Sequence, residues 1–403
     1  MIPTSSDSRT LRRRLVALGL TSAVVGSSAP IPLYPIYRAE LGLDTFTMTL
    51  IFVVYVVAVL GALLTSGKAM ARLDSPHRLL APALMVVAAG ALIMSQAHGL
   101  AWLLAGRMLA GLGTGAATVA ANAALVELAP QRDVRHAALV STLSFGAGSA
   151  IGPFLSGAAL QLDLWPTVLP FVLVASIALA SAWSSIQCLR SPSLRTAGLH
   201  ADSADERAGA PISGVATVQW RPFALCAGTV LATWAFGATL MALGPYFGHI
   251  LLGIDNYAVT GYVTALFTLA GTTSQWLHRR TPARQAFLRG TSIITLGTVL
   301  MGTAMAIELP VLAAASLVTI SIGHGAAFGA AAGLVNQLAP PDQRSRLVSW
   351  FYVAGYIGNL MPMLLGAVTD RFGAPAAALG FIIAFGLCIA GIGLSARRGF
   401  RGV

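Results

Sequence analysis

The sequence predicts an all-α membrane protein with twelve transmembrane helices in two pseudo-symmetric six-helix bundles. Three observations predict this. Of 403 residues, 56% are hydrophobic and only 10% charged, too little polar surface to keep the chain in water. The apolar residues recur in blocks of the ~20 residues a helix needs to cross a bilayer. The second half of the chain also repeats signals of the first.

In chain order, spans are expected at 15–37, 47–67, 79–98, 101–128, 137–161, 166–187, 222–247, 257–277, 286–307, 311–338, 347–369 and 374–396. The first follows Arg9, Arg12, Arg13 and Arg14 and has no small-residue cleavage site, so it reads as a retained start-transfer helix. It ends in Pro30-Ile31-Pro32-Leu33-Tyr34-Pro35. Those prolines free carbonyls, which is tolerable at membrane depth only beside protein or a watery cavity. The longest polar stretch, 188–221, carries Ser191-Pro192-Ser193 and several charges, and reads as a flexible cytoplasmic linker. It divides the chain into a six-helix bundle at 1–187 and another at 222–403.

The formal charge of +11 is a matter of orientation. With the N-terminus in the cytoplasm, 22 of the 25 basic residues fall at one membrane face. They are the four N-terminal arginines; Lys68, Arg72 and Arg78; Arg132 and Arg135; Arg190, Arg195, Arg207 and Arg221; Arg279, Arg280, Arg284 and Arg289; Arg344 and Arg346; and Arg397, Arg398 and Arg401. Arg38 and Arg371 lie at the opposite face and Arg107 within a span. The positive-inside rule then puts both termini in the cytoplasm, and argues against a nucleic-acid partner. The cysteines Cys188, Cys226 and Cys388 have no metal-ligand spacing and are expected to be reduced. They read as lying at or near the cytoplasmic ends of spans.

The internal repeat is explicit. Gly113-Thr114-Gly115-Ala116-Ala117 and Leu128-Ala129-Pro130 match Gly323-His324-Gly325-Ala326-Ala327 and Leu338-Ala339-Pro340 at an offset of 210. Gly146, Pro153, Gly157 and Pro166 match Gly355, Pro362, Gly366 and Pro375 at 209. Pro35 matches Pro245, and Gly42-Leu43-Asp44 matches Gly253-Ile254-Asp255. Two six-span halves pointing the same way are the parallel-repeat plan of secondary transporters, which hold substrate between the halves near the midplane.

Two motifs narrow the reading. Span five carries Gly148-Ser149-Ala150-Ile151-Gly152-Pro153-Phe154-Leu155-Ser156-Gly157. Gly148 and Gly152 make a small-xxx-small step that lets a neighbouring helix come close, and Pro153 removes a backbone hydrogen bond and permits a bend. Within span four, Arg107 begins the element Arg107-Met108-Leu109-Ala110-Gly111. A guanidinium inside a span is costly and marks a functional site by default, unless it serves structurally by bonding carbonyls of span one. With these strings the chain resembles the major facilitator superfamily over essentially its whole length. Span five is similar to the G-x-x-x-G-P-x-x-G-G element of bacterial drug:proton antiporters, with Ser156 replacing one glycine. The loop after span two departs from the family's G-x-L-A-D-R-x-G-R-R, since Ala71 stands where the aspartate is usual and Asp74 where the second glycine is. A second such string, Gly366-Ala367-Val368-Thr369-Asp370-Arg371-Phe372-Gly373, sits at the opposite face from the family motif and is taken as a turn after the helix.

The resemblance implies a central cavity on spans one, four, seven and ten, with gates on two, five, eight and eleven. The candidates for substrate contact are therefore Tyr34, Arg107, Asn122, Trp234, His324, Tyr352, Tyr356 and Asn359, and for gating Gly148, Gly152, Pro153 and Gly157. The acidic residues lie in loops or near span ends. His324 is thus the most central titratable group, with an unperturbed pKa of roughly 6.5 suited to proton exchange. Glu127 and Arg107 are the other coupling candidates. A histidine among small residues also serves simply by bonding a neighbouring carbonyl.

The expected function is export of a small, mostly apolar organic compound by proton antiport with rocker-switch alternating access. The alternatives are proton-coupled uptake of a sugar or organic acid, and a non-transporting membrane sensor. No H-E-x-x-H, G-x-S-x-G or P-loop string points to an enzyme. No cofactor or metal is expected. The partners are protons, a small-molecule substrate and the bilayer, with the chain as a monomer in the bacterial inner membrane.

Overall fold

Helix formation follows the bilayer's demand that every backbone polar group be satisfied within its own segment. The computed structural model describes residues 5–70, 72–129, 134–190, 219–340 and 343–400, and these are helical with short connections and no strand. The expected linker lies largely outside the described residues, as does Ala71. In order the helices are α1 (Ser5–Ser28), α2 (Tyr34–Leu41), α3 (Thr45–Met70), α4 (His77–Ser95), α5 (Leu100–Leu128), α6 (Val134–Gln161) and α7 (Leu169–Arg190). They continue as α8 (Trp220–Leu252), α9 (Tyr257–His278), α10 (Ala283–Ala306), α11 (Pro310–Leu338), α12 (Arg344–Gly358), α13 (Met361–Phe372) and α14 (Ala374–Gly399).

Two expected spans are broken. The first is α1, a 3-10 turn at Ile31–Leu33 and α2. Pro30, Pro32 and Pro35 supply no N–H across this stretch, so the α-helical ladder cannot run through. The eleventh is α12 and α13, parted at Asn359-Leu360 ahead of Pro362 in the first turn of α13. Proline alone does not decide the outcome, because α6 and α8 run unbroken through Pro153 and Pro245.

Among the described residues, eleven of the spans are long and apolar enough to cross a membrane by length and composition. The eighth, α9, has the length, at 22 residues, but a weaker apolar character. Its threonines disarm themselves: Thr260, Thr264, Thr268 and Thr272 each return a hydroxyl to a carbonyl about one turn back, at 2.7–3.2 Å.

The helices cluster into two compact units. One comprises 1–30, 54–155 and 163–215, and the other 31–53, 156–162 and 216–403. Within the first, a Cβ on Gly113 would come within 2.7 Å of the Val87 backbone in α4, and one on Gly115 within 2.7 Å of the Val59 carbonyl in α3. Within the second, a Cβ on Gly323 would meet Ile294 of α10 at 2.7 Å, and one on Gly325 would run into the Gly271 carbonyl of α9. The Gly-x-Gly pairs that mark the sequence repeat are therefore the places where a fourth or tenth span lies backbone to backbone on its two neighbours. Gly42 and Gly253 repeat the logic at the helix ends: both take the left-handed conformation (φ 61 and 63) that closes α2 and α8.

The three cysteines are free, as expected. Cys388, however, lies mid-way along α14, not near its end.

Candidate functional site

In the second unit, α8, α11 and α12 bring a group of aromatic side chains together. The Trp234 ring lies 5.3 Å from Tyr356 in a T-shaped pair, 5.9 Å from Phe328 and 6.4 Å from Tyr352. Edge and tilted contacts of this kind suit the aromatic quadrupole. The cluster forms because α12 carries Gly355 and Gly358 towards α8. A Cβ on Gly355 would be 2.9 Å from the Trp234 ring, and one on Gly358 would strike the Leu231 carbonyl. Phe328 carries the group on to His324, whose ring stacks on it at 6.0 Å and 13°. His324 also lies 6.4 Å from Phe267 of α9. It is half-buried, and its imidazole makes no hydrogen bond among the described residues. The carbonyl bond that would give it a purely structural role is absent there. Tyr352 is 40% exposed and Tyr356 half-buried, so the group keeps an accessible side. Asn359 caps α12 at the break before α13.

In the first unit, Arg107 is fully buried on α5. One guanidinium nitrogen donates to the Ser27 carbonyl of α1 at 2.8 Å, and the guanidinium carbon lies 4.2 Å over the Tyr55 ring of α3. Nε and the other terminal nitrogen have no hydrogen-bond partner in the described residues. Arginine thus does the structural job of tying α5 to α1 and retains two donors. Thr114, two turns on, donates to the Ala23 carbonyl at 3.1 Å. On α6, a Cβ at Gly148 would be 2.7 Å from Val24, and one at Gly152 would overlap the Ser28 hydroxyl. The small-xxx-small step is therefore the α1–α6 contact.

The remaining candidates scatter. Tyr34, 1% exposed, is enclosed at the start of α2. Asn122 is exposed on α5, and Glu127 is half-buried next to its last residue.

At the arginine-poor helix ends of the second unit, the string taken as a turn is something else. Gly366–Phe372 is the end of α13, and the Asp370 carboxylate accepts from the backbone N–H groups of Thr45 (3.2 Å) and Phe46 (2.9 Å). It caps the first turn of α3, where unpaired N–H groups and the positive end of the helix dipole favour an anion. Gly366 sits where a Cβ would be 2.8 Å from the Thr49 hydroxyl. In the same unit Asn256 donates to Gln161 at 2.8 Å, Gly157 lies against the Ala258 carbonyl, and Arg38 lies over Tyr246 at 4.4 Å. Sequence reasoning missed Phe328, Tyr55 and the capping role of Asp370. The first two read as ordinary apolar or aromatic span residues, and the third is signalled only by a motif string at the face opposite to the family's.

The family model of the Major Facilitator Superfamily matches residues 16–362. The chain belongs to the Major Facilitator Superfamily. No curated protein matches it by sequence. Among solved structures, this superfamily member is similar to a bacterial homologue of the human lysosomal transporter Spinster in an inward-facing, occupied conformation. The TM-score is 0.73 and the identity 15%, over 98% of this chain and 97% of that one. It is similar also to a POT family transporter in complex with 5-aminolevulinic acid (TM-score 0.77, 12% identity, 97% and 96% covered). A mutant of peptide transporter POT matches at TM-score 0.76 and 14% identity, over 97% and 94%. At such identities the likeness is one of fold: an all-helical major facilitator transporter.

Proposed function

We propose that this major facilitator protein exports a small, mostly apolar organic compound in exchange for protons. The observation that carries the reading is the group formed by Trp234, Phe328, Tyr352, Tyr356 and His324. Its aromatic faces and tyrosine hydroxyls suit an apolar compound with few polar groups, and it offers no carboxylate to select a cation. His324 is the one ring in it whose unperturbed pKa lies near neutrality, which suits it to proton exchange. The span-five string Gly148–Gly157 supports the drug:proton antiporter branch. Gly148, Gly152, Pro153 and Gly157 then serve as the flexible seam along α6. In this reading the bundles 1–187 and 222–403 rock about the substrate, and the arginine-rich face is cytoplasmic in a bacterial inner membrane. Asp370, Gly366 and the Asn256–Gln161 pair close the exterior ends of the spans.

A second reading, proton-coupled uptake of a small carboxylate-bearing metabolite, is favoured by the two unpartnered nitrogens of Arg107, which match a carboxylate. Flux in membrane vesicles of both orientations under an imposed pH gradient decides. Proton-driven accumulation of an apolar compound in everted vesicles is expected, and flux indifferent to the gradient refutes antiport. A carboxylate accumulating only in right-side-out vesicles favours uptake.

A further inference from the structure

Away from the aromatic group, the second unit holds a cavity of about 450 Å³ among the arginine-poor ends of α8, α9, α10, α11 and α14. Phe236, Phe247, Met301, Met305 and Phe381 form much of its wall, and no charged residue lines it. Its volume is that of a small-molecule site. Phe236 and Phe381 stack at 6.2 Å and 13°, giving it a flat aromatic side. Met301 and Met305 give it an adaptable one.

Three threonines also line it. Thr260 and Thr264 return their hydroxyls to the Tyr257 and Thr260 carbonyls at 2.7 and 2.8 Å. Thr239 does not. Its hydroxyl is buried, the residue being 5% exposed, and has no hydrogen-bond partner among the described residues. Its neighbours on α8 behave differently, since Thr229 and Thr233 each bond the carbonyl four residues back at 2.8 Å. Water is a poor occupant of such a space. The space is lined almost wholly by apolar side chains, which hold water poorly and take up organic molecules.

We propose that this cavity is a binding site for a hydrocarbon ligand carrying one hydrogen-bonding group, which Thr239 meets. A chain or ring fills the space between Phe236, Phe381 and the two methionines, and its single polar atom pairs with the Thr239 hydroxyl. The site is distinct from the group around Trp234, with Phe267 standing between the two. Phe236 lies 6.2 Å from Phe267, and Phe267 lies 6.4 Å from His324. An occupant therefore bears on the helix packing next to the proposed proton carrier.

The test reads labelling, not flux, so its outcome is separate from that of the transport proposal. The full-length protein in lipid nanodiscs is exposed to diazirine-bearing dodecanol, to the matching hydroxyl-free alkane, and to a phosphatidylethanolamine with the diazirine on its acyl chain. The expected result is saturable labelling of peptides within 236–252 and 374–385, lost in Ala314→Phe and in Ala378→Phe, either of which fills the space. Thr239→Val keeps the shape and removes the donor. It should weaken dodecanol labelling about fivefold, the loss of one neutral hydrogen bond, and leave the alkane unchanged. Labelling by the alkanol supports a free compound as the occupant, and labelling by the phospholipid alone overturns the ligand with one hydrogen-bonding group. Labelling that does not saturate, or that survives both filling variants in folded protein, overturns the proposal. Equal loss of alkanol and alkane in Thr239→Val overturns the role of the hydroxyl.

Discussion

Asp370 offers the sharpest test of how the arginine-poor ends of the second unit are held. Its carboxylate spans 325 residues of sequence to reach Thr45 and bonds two successive N–H groups of α3. Asp370→Ala removes a helix cap, which typically costs ~1 kcal/mol, and a charge–dipole attraction of roughly 0.3–1 kcal/mol at an exposed site. The contact between the start of α3 and the end of α13 should then open roughly 5- to 30-fold more often, as ~1–2 kcal/mol implies. Asp370→Asn keeps an acceptor and loses the charge, so about two- to fivefold is expected. The assay is the rate at which a polar maleimide labels Thr49→Cys in purified protein whose three native cysteines have been replaced. Thr49 is fully buried beside Gly366, and reacts only when the contact parts. A graded increase from wild type through Asn to Ala is the expected outcome. Identical rates in all three would show that the carboxylate holds nothing in place.

Other outcomes follow from the same geometry. His324→Gln should abolish pH-driven flux while leaving substrate-induced quenching of Trp234 fluorescence within about twofold, and pH-driven flux that persists would remove His324 from coupling. Gly325→Ala pushes a methyl into the Gly271 carbonyl, whereas Gly333→Ala meets nothing within 4 Å. The first should lose ~1–3 kcal/mol, read as a lower thermal midpoint in detergent, and the second should stay at the wild-type value. At Tyr55, Phe keeps the ring beneath Arg107 and Ala does not. Replacement by Ala should cost roughly 0.5–2 kcal/mol more than Phe in the same melting assay.

The spans were legible because the bilayer imposes length and apolarity on each segment separately, so a local window of sequence suffices. The repeat was legible for a related reason. Gly113, Gly115, Gly323 and Gly325 are small because another backbone lies against them, and that demand recurs in each half. The break of the first span could be anticipated from Pro30, Pro32 and Pro35, but that of the eleventh could not, since Pro153 stands at the matching position in an unbroken helix. Within the site, Trp234, Tyr352 and Tyr356 stood out by residue type. Phe328, the ring that joins them to His324, did not, because a phenylalanine in an apolar span carries no mark of what it touches. Tyr34 was expected to face a ligand from its place in a proline-rich stretch, and it is 1% exposed at the start of α2. Asp370 shows the limit most clearly, because a cap supplied from the far end of the chain leaves no trace near the helix it caps.

The threonines of α9 bear on how the chain is made. As it leaves the ribosome, each segment is weighed by the insertion machinery largely on its own hydrophobicity, and α9 is the one that brings least. Hydroxyls already bonded to their own backbone lower the penalty of entering lipid without supplying a driving force. Of the spans, α9 therefore depends most on packing against its neighbours to be kept in the bilayer.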